Sequence, residues 1–79
     1  MKTMWTIAKQ TPDGRLTLVG NGQMWVYQMT ALRHYNMLCS TLQKKYQVVE
    51  VPASLKGDPH GLLMFLHEDA ETRKEILAD

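Results

Sequence analysis

The side chains that could do acid–base or metal chemistry in this sequence are few and far apart. They are three histidines, His34, His60 and His67, and one cysteine, Cys39. A zinc site needs three or four ligands at helical or turn spacing, and neither a His-Glu-x-x-His nor a Cys-x-x-Cys pattern occurs. We therefore expect no metal site, and a single cysteine excludes an internal disulfide.

The run His67-Glu68-Asp69 is the one place where a general acid and a general base could lie together. The same residues suit the start of a helix equally well, with Asp69 as the N-cap of a helix 70–78. The loop 53–61 lacks the spacing and the Lys-Ser/Thr pair of a phosphate loop, so we expect a surface loop, with a partner-gripping role as the alternative. Because no catalytic set converges, we expect a non-enzymatic protein with no catalytic residues and no cofactor.

Length and composition indicate one small folded domain. The chain has 79 residues, 44% of them hydrophobic, and a net charge of +1. That length fits a single domain over residues 1–79, and the near-neutral charge argues against a general nucleic-acid binder. Basic residues outnumber acidic ones six to two in residues 1–52, and acidic residues outnumber basic ones six to three in residues 53–79. The two parts either attract each other within the fold or form a basic surface beside an acidic docking segment.

The first third of the chain alternates apolar and polar residues and predicts strands. Residues 4–9, 15–20 and 23–28 each show this period of two. Thr11-Pro12-Asp13-Gly14 is typical of a turn, and Asn21-Gly22 is typical of a two-residue hairpin. The pattern predicts a three-stranded antiparallel meander over residues 4–28.

The central segment predicts one main amphipathic helix, residues 31–45, with Thr30 as its N-cap. Cys39 falls on the apolar stripe of this helix, which favours a buried core cysteine over a reactive thiolate. Residues 47–51 are β-branched, end at Pro52 and predict a fourth strand. The apolar stripe is spaced at i, i+3 and i+4 and comprises Ala31, Leu32, Tyr35, Leu38, Cys39, Leu42 and Tyr46.

The run Leu62–Leu66 is ambiguous between strand and helix. Asp58-Pro59 is a helix-start signal. Gly61 weakens a first turn, however, and five consecutive apolar residues would give a terminal helix a very wide apolar face. We favour a strand followed by a helix 70–78, over one long helix. The expected fold is therefore α+β: a small antiparallel sheet in the order β-β-β-α-β-β-α, packed by the helix 31–45.

The predicted meander is apolar on both faces, which bears on function. One face carries Met4, Leu16, Leu18, Met24 and Val26, and the other carries Trp5, Ile7, Trp25 and Tyr27. A single helix covers one face, so the C-terminal segment, a second copy or another protein must cover the other. Trp and Tyr are enriched at interaction hot spots.

We therefore expect a free-standing protein-binding module, an inhibitor or regulator that occupies a partner's surface and forms a homodimer. Trp5, Ile7, Trp25 and Tyr27 are the expected interface residues. In size and composition the chain is similar to small regulators of phages and mobile elements, which is an analogy only.

The alternative is a nucleic-acid-binding module. Lys9, Arg15 and Arg33 would contact phosphates, and Trp25 would stack on a base. The first residues do not form a signal peptide, and the longest apolar run is too short for a membrane helix, so we expect a cytoplasmic protein with no membrane association.

Overall fold

A four-stranded antiparallel sheet and four helices make up the chain, which confirms the α+β class. The computed structural model describes residues 1–79. No helix in it combines the length and apolar character needed to cross a membrane. In chain order the elements are β1 (Thr3–Gln10), β2 (Leu16–Leu18), β3 (Met24–Trp25), α1 (Gln28–Asn36), α2 (Ser40–Gln43), β4 (Tyr46–Pro52), a 3₁₀ turn (Ala53–Leu55), α3 (Pro59–His67) and α4 (Ala70–Ala78).

The strand β1 lies at the centre of the sheet. β4 pairs with it over the whole stretch from Thr3 opposite Pro52 to Lys9 opposite Tyr46. Both β2 and β3 pair antiparallel with β1, at its C-terminal and N-terminal ends respectively. Because β4 occupies one edge of β1 throughout, β2 and β3 share the opposite edge.

The meander predicted over residues 4–28 is therefore wrong, since β2 and β3 do not pair with each other. Residues 19–23 form a loop that interrupts one edge strand instead of a hairpin that reverses the chain. Gly20 and Gly22 both have positive φ, as a tight turn requires, and the Gly22 amide donates to the Val19 carbonyl at 3.1 Å. The glycine signal located a turn correctly, but the eight-residue β1 is long enough for the chain to rejoin the same edge.

One face of the sheet packs against α3 to form the main core. Met4, Thr6 and Ala8 alternate along β1 on this face and are buried. The core cluster consists of Ala8, Leu16, Val51, Leu62, Phe65 and Leu66, with Ile76 and Leu77 of α4 packed against it.

The strand predicted at residues 62–66 is wrong, because this run belongs to α3. The Gly61 amide donates to the Asp58 carboxylate at 3.0 Å, and Pro59 occupies the first turn. Those helix-start contacts outweigh the weakness of Gly61. Leu62, Phe65 and Leu66 are buried because α3 lies directly on the sheet, whereas Met64 of the same run is exposed. The helix predicted at 70–78 is confirmed as α4, with Asp69 as its N-cap.

The single helix predicted at residues 31–45 is also wrong. The chain forms α1 from Gln28, with Tyr27 and not Thr30 as N-cap, and breaks before α2. The break lets the chain turn back toward β4. It leaves Cys39 exposed, so the expected core cysteine is not in the core.

Gly22 is expected to tolerate no side chain. A Cβ there would lie 2.8 Å from Leu18 Cδ1 and 3.0 Å from Leu62 Cδ2, and its φ is +72°. We expect Gly22→Ala to lower the free energy of unfolding by about 1–3 kcal/mol. Gly20→Ala is the matched control, because its φ is also positive but nothing lies within 4 Å. Urea unfolding should show the larger loss at Gly22; equal losses would contradict the close packing.

The orientation of α3 gives a second prediction. Leu66 has no exposed surface, whereas Met64 of the same helix is 56% exposed. We expect Leu66→Ala to cost about 2–5 kcal/mol of unfolding free energy through the cavity it leaves. Met64→Ala should change it by about 0.5 kcal/mol or less. A similar cost at both positions in urea unfolding would argue against a helix in this orientation.

Candidate protein-binding groove

The helix α1 covers the sheet face opposite α3. Trp5 pairs with Trp25, and directly opposite residues of antiparallel strands project from the same face. The Trp25 ring stacks on His34 of α1, with ring centroids 4.8 Å apart and planes 26° from parallel. Ala31 of α1 has no exposed surface. Both faces of the sheet thus have a helical cover, and the C-terminal segment supplies one of them.

The cover provided by α1 is incomplete and leaves an apolar groove of about 540 Å³. Ile7 of β1 and Trp25 of β3 project into it from the sheet. Leu38, after the end of α1, and Tyr46, at the start of β4, bound it on one side. The loop residues Val19, Gly20, Asn21 and Gln23 complete the lining. The groove is therefore assembled from four parts of the chain, which are Ile7, residues 19–25, Leu38 and Tyr46.

The loop 19–23 is held in place from the core side of the sheet. The buried Thr6 hydroxyl donates to the Gln23 carbonyl at 2.7 Å. Thr6 is buried, so its hydroxyl cannot bond to water. The bond to Gln23 satisfies this hydroxyl and fixes the loop to β1. The rim formed by Val19 and Asn21 is thus positioned by the central strand.

The corner between α1 and α2 is held by Gln43. Its Nε2 donates to the Leu38 carbonyl at 3.0 Å, and the Tyr35 hydroxyl donates to the Gln43 carbonyl at 2.9 Å. The first bond satisfies the Leu38 carbonyl just beyond α1, and the second satisfies the Gln43 carbonyl at the end of α2. They also fix the backbone at Leu38, whose side chain bounds the groove.

The expected interface residues fall into three groups. Ile7 and Trp25 line the groove, and Trp5 lies on the same sheet face outside the lining. Tyr27 does not belong to a strand; it caps α1 and is 71% exposed. Sequence reasoning missed Val19, Leu38 and Tyr46 as groove residues, although Leu38 and Tyr46 were both on the predicted apolar stripe.

The basic residues proposed for phosphate contact do not converge. Lys9 lines a polar depression of about 550 Å³ together with Lys44 and Lys45. Arg15 lies in a different depression, and Arg33 is on the exposed side of α1. The three residues therefore do not form one phosphate-tracking surface.

Two arginines occupy a polar cleft of about 390 Å³ at the end of α3. Arg15 Nη1 donates to the His67 carbonyl at 3.3 Å. Arg73 Nη1 donates to the carbonyls of Glu68 at 2.7 Å and Leu66 at 3.2 Å. Cations at the carboxyl end of a helix complement its dipole and its free carbonyls. The two arginines in the cleft therefore serve to stabilise the carboxyl end of α3.

The run His67-Glu68-Asp69 lies at the rim of this cleft. The Asp69 carboxylate accepts from the Thr72 amide at 2.7 Å and caps α4. No hydrogen bond joins the His67 ring to either carboxylate, and no three His, Cys, Asp or Glu side chains converge as a metal-binding group. The geometry favours the capping interpretation of the run.

The cap makes α4 sensitive to acid. The Thr72 backbone amide, and then the Thr72 hydroxyl, lower the pKa of Asp69 below its ordinary value of 3.8. A carboxyl with a lowered pKa contributes stability above its ordinary pKa and loses it as the pH falls through the lowered value. We expect the Thr72 amide resonance and the helicity of α4 to change below pH 3.8.

The variant Asp69→Asn keeps a capping side chain that does not titrate, so it should remove this acid transition. Asp13→Asn is the control, because Asp13 also has a lowered pKa but lies outside α4. The account fails if Asp69→Asn shows the same loss at Thr72 as the original chain.

Comparison with protein-family models, with curated proteins and with solved structures finds no significant match. The basis for a function is therefore the geometry of the fold and its surfaces.

Proposed function

We propose that this protein is a non-enzymatic binding module that takes an apolar segment of a partner protein into the groove. The observation that carries the proposal is the convergence of Ile7, Trp25, Leu38 and Tyr46 around an open cavity of about 540 Å³. Such a surface is stabilised when it is removed from water, and aromatic residues in a depression are typical interaction hot spots.

Apolar exposure beyond the groove favours a protein over a small molecule. Trp25 leads directly into Val26 and Tyr27, which are 62% and 71% exposed, and Met29 of α1 is 64% exposed. Exposed large apolar residues beside an apolar groove are typical of protein interfaces. A small ligand would fill the groove and leave these exposed residues in water, whereas a protein segment can cover the groove and the exposed residues together.

The polar residues of the rim suit the recognition of a peptide backbone. Asn21 and Gln23 border the groove, and both are exposed. Their amide side chains offer donors and acceptors beside the apolar lining. An apolar centre within a polar rim is the usual anatomy of a protein interface.

Nucleic-acid binding is the second candidate, supported by the clustering of Lys9 with Lys44 and Lys45. Two observations weaken it. Arg15 is engaged by the His67 carbonyl, and one face of the Trp25 ring already stacks on His34. A stacking platform needs an open aromatic face, so the protein-binding role ranks first.

A matched pair of variants tests the groove. Leu38 lines it, whereas its neighbour Met37 is 82% exposed and outside it. We expect peptides selected from a random library on the original chain to bind Leu38→Ala at least about tenfold more weakly, a loss of ~1.4 kcal/mol. Met37→Ala should bind them with unchanged affinity, and circular dichroism should show both variants folded.

A Trp5→Phe background gives a direct optical readout. Trp25 is then the only tryptophan, and binding in the groove should shift its emission. Equal affinity of the Leu38 and Met37 variants for the selected peptides would overturn the proposal.

A further inference from the structure

The strand β4 forms a long edge of the sheet whose outer side has no partner strand. Its only strand pairing is with β1. The register shows which residues face outward. Gln10 donates to the Lys45 carbonyl and Ala53 donates to the Lys2 carbonyl, so odd-numbered residues of β4 face β1. In an antiparallel strand the backbone groups alternate in direction, so Tyr46, Val48 and Glu50 present theirs outward.

These outward groups are not used elsewhere in the chain. No turn, cap or side-chain hydrogen bond involves the amides or carbonyls of Tyr46, Val48 or Glu50. The Glu50 carboxylate does accept from the Thr3 hydroxyl at 2.7 Å, but that contact leaves its backbone free. The edge therefore offers a row of alternating donors and acceptors.

The opposite edge of the sheet is built differently. β2 and β3 have three and two residues, and the loop 19–23 separates them. Short or interrupted edge strands resist pairing with another chain. β4 has seven residues with no bulge and no lysine, and Pro52 stands only at its end. The sheet thus has one protected edge and one edge competent to pair.

We propose that β4 pairs antiparallel with β4 of a second copy, about a two-fold axis at Val48. In this register Val48 lies opposite Val48, and Tyr46 of each copy lies opposite Glu50 of the other. Every outward amide of Tyr46, Val48 and Glu50 then meets an outward carbonyl. The sheet becomes continuous through both copies.

The chemistry of the strand favours a second copy as the occupant. A two-fold antiparallel pairing is self-complementary, because each residue that donates to a position also accepts from it. Glu50 is the only charged residue between Tyr46 and Pro52, so the register about Val48 brings no like charges together. A register centred on Glu50 would place two carboxylates opposite each other, which is unfavourable.

The axis position also follows from the end of the strand. Val51 and Pro52 are buried, and the 3₁₀ turn Ala53–Leu55 follows at once. A pairing centred closer to the C-terminal end of β4 would need the backbone of these buried residues. Each copy has a single competent edge, so the assembly closes as a dimer and does not extend into a fibre.

The dimer would use the backbone of β4, whereas the groove is lined by side chains, and Tyr46 is the one residue that contributes to both. The dimer expected from the sequence was assigned to the Trp5, Ile7, Trp25 and Tyr27 face, which α1 partly covers. In the present proposal the dimer contact is made by the backbone edge of β4 instead. Failure of groove binding leaves the dimer intact, and a monomeric chain leaves the groove intact.

Hydrogen exchange on the original chain tests the pairing without any substitution. The amides of Val49 and Val51 face β1 and should be protected at every concentration. The amides of Tyr46, Val48 and Glu50 should exchange freely at about 1 μM and become protected at about 1 mM, because a small interface of this kind dissociates in the micromolar range. Sedimentation should show the mass rising from 9.1 kDa to twice that value over the same range.

Two variants test the position of the axis. Val48→Pro removes the outward amide of residue 48 and leaves every backbone hydrogen bond between β4 and β1 in place, so this variant should be monomeric. Val48→Thr keeps the amide and should remain dimeric. In a Cys39→Ser background, V48C should form an intermolecular disulfide on mild oxidation, and Q47C should not, because Gln47 lies opposite Val49 in this register.

The exchange experiment decides the matter even if Val48→Pro fails to fold. A chain that is monomeric at about 1 mM overturns the proposal, since mass action would favour a dimer there. A dimer in which the Tyr46, Val48 and Glu50 amides exchange freely, or in which V48C and Q47C cross-link equally, overturns it as well.

Discussion

The pairing of β1 with β4 is the constraint on which the rest of the structure depends. It extends from Thr3 opposite Pro52 to Lys9 opposite Tyr46 and fixes which side chains face each layer. A shift by one residue would move every side chain to the opposite face. Met4, Thr6 and Ala8 would leave the α3 core. The groove would lose Ile7 at the same time, so core and groove are specified by one register.

Local stereochemistry explains what the sequence predicted correctly. Asp69 caps α4 because its carboxylate can reach the Thr72 amide three residues on, a contact that depends on adjacent sequence only. The alternation along β1 likewise reports its two faces directly. Ile7 and Trp25 were placed together on one sheet face because they are large apolar residues at alternating strand positions, and both line the groove.

The errors have a common cause in contacts between distant segments. Asn21-Gly22 predicts a turn, but whether the chain reverses or rejoins the same edge depends on the length of β1. The apolar periodicity of residues 31–45 continues across the break after α1, where Gln43 and Tyr35 stabilise a corner. Leu38 and Tyr46 were assigned to one helix stripe, and only the corner brings them to the groove from separate elements.

The packing of Gly22 has a consequence for which positions around the groove tolerate substitution. Its Cα would carry a methyl group into Leu18 and Leu62, so the loop that frames the groove is packed against the core on its other side. Lengthening or substituting the loop at that point disturbs the hydrophobic interior. Val19, Asn21 and Gln23 line the opening instead, so substitutions there would reshape the groove and leave the hydrophobic interior intact.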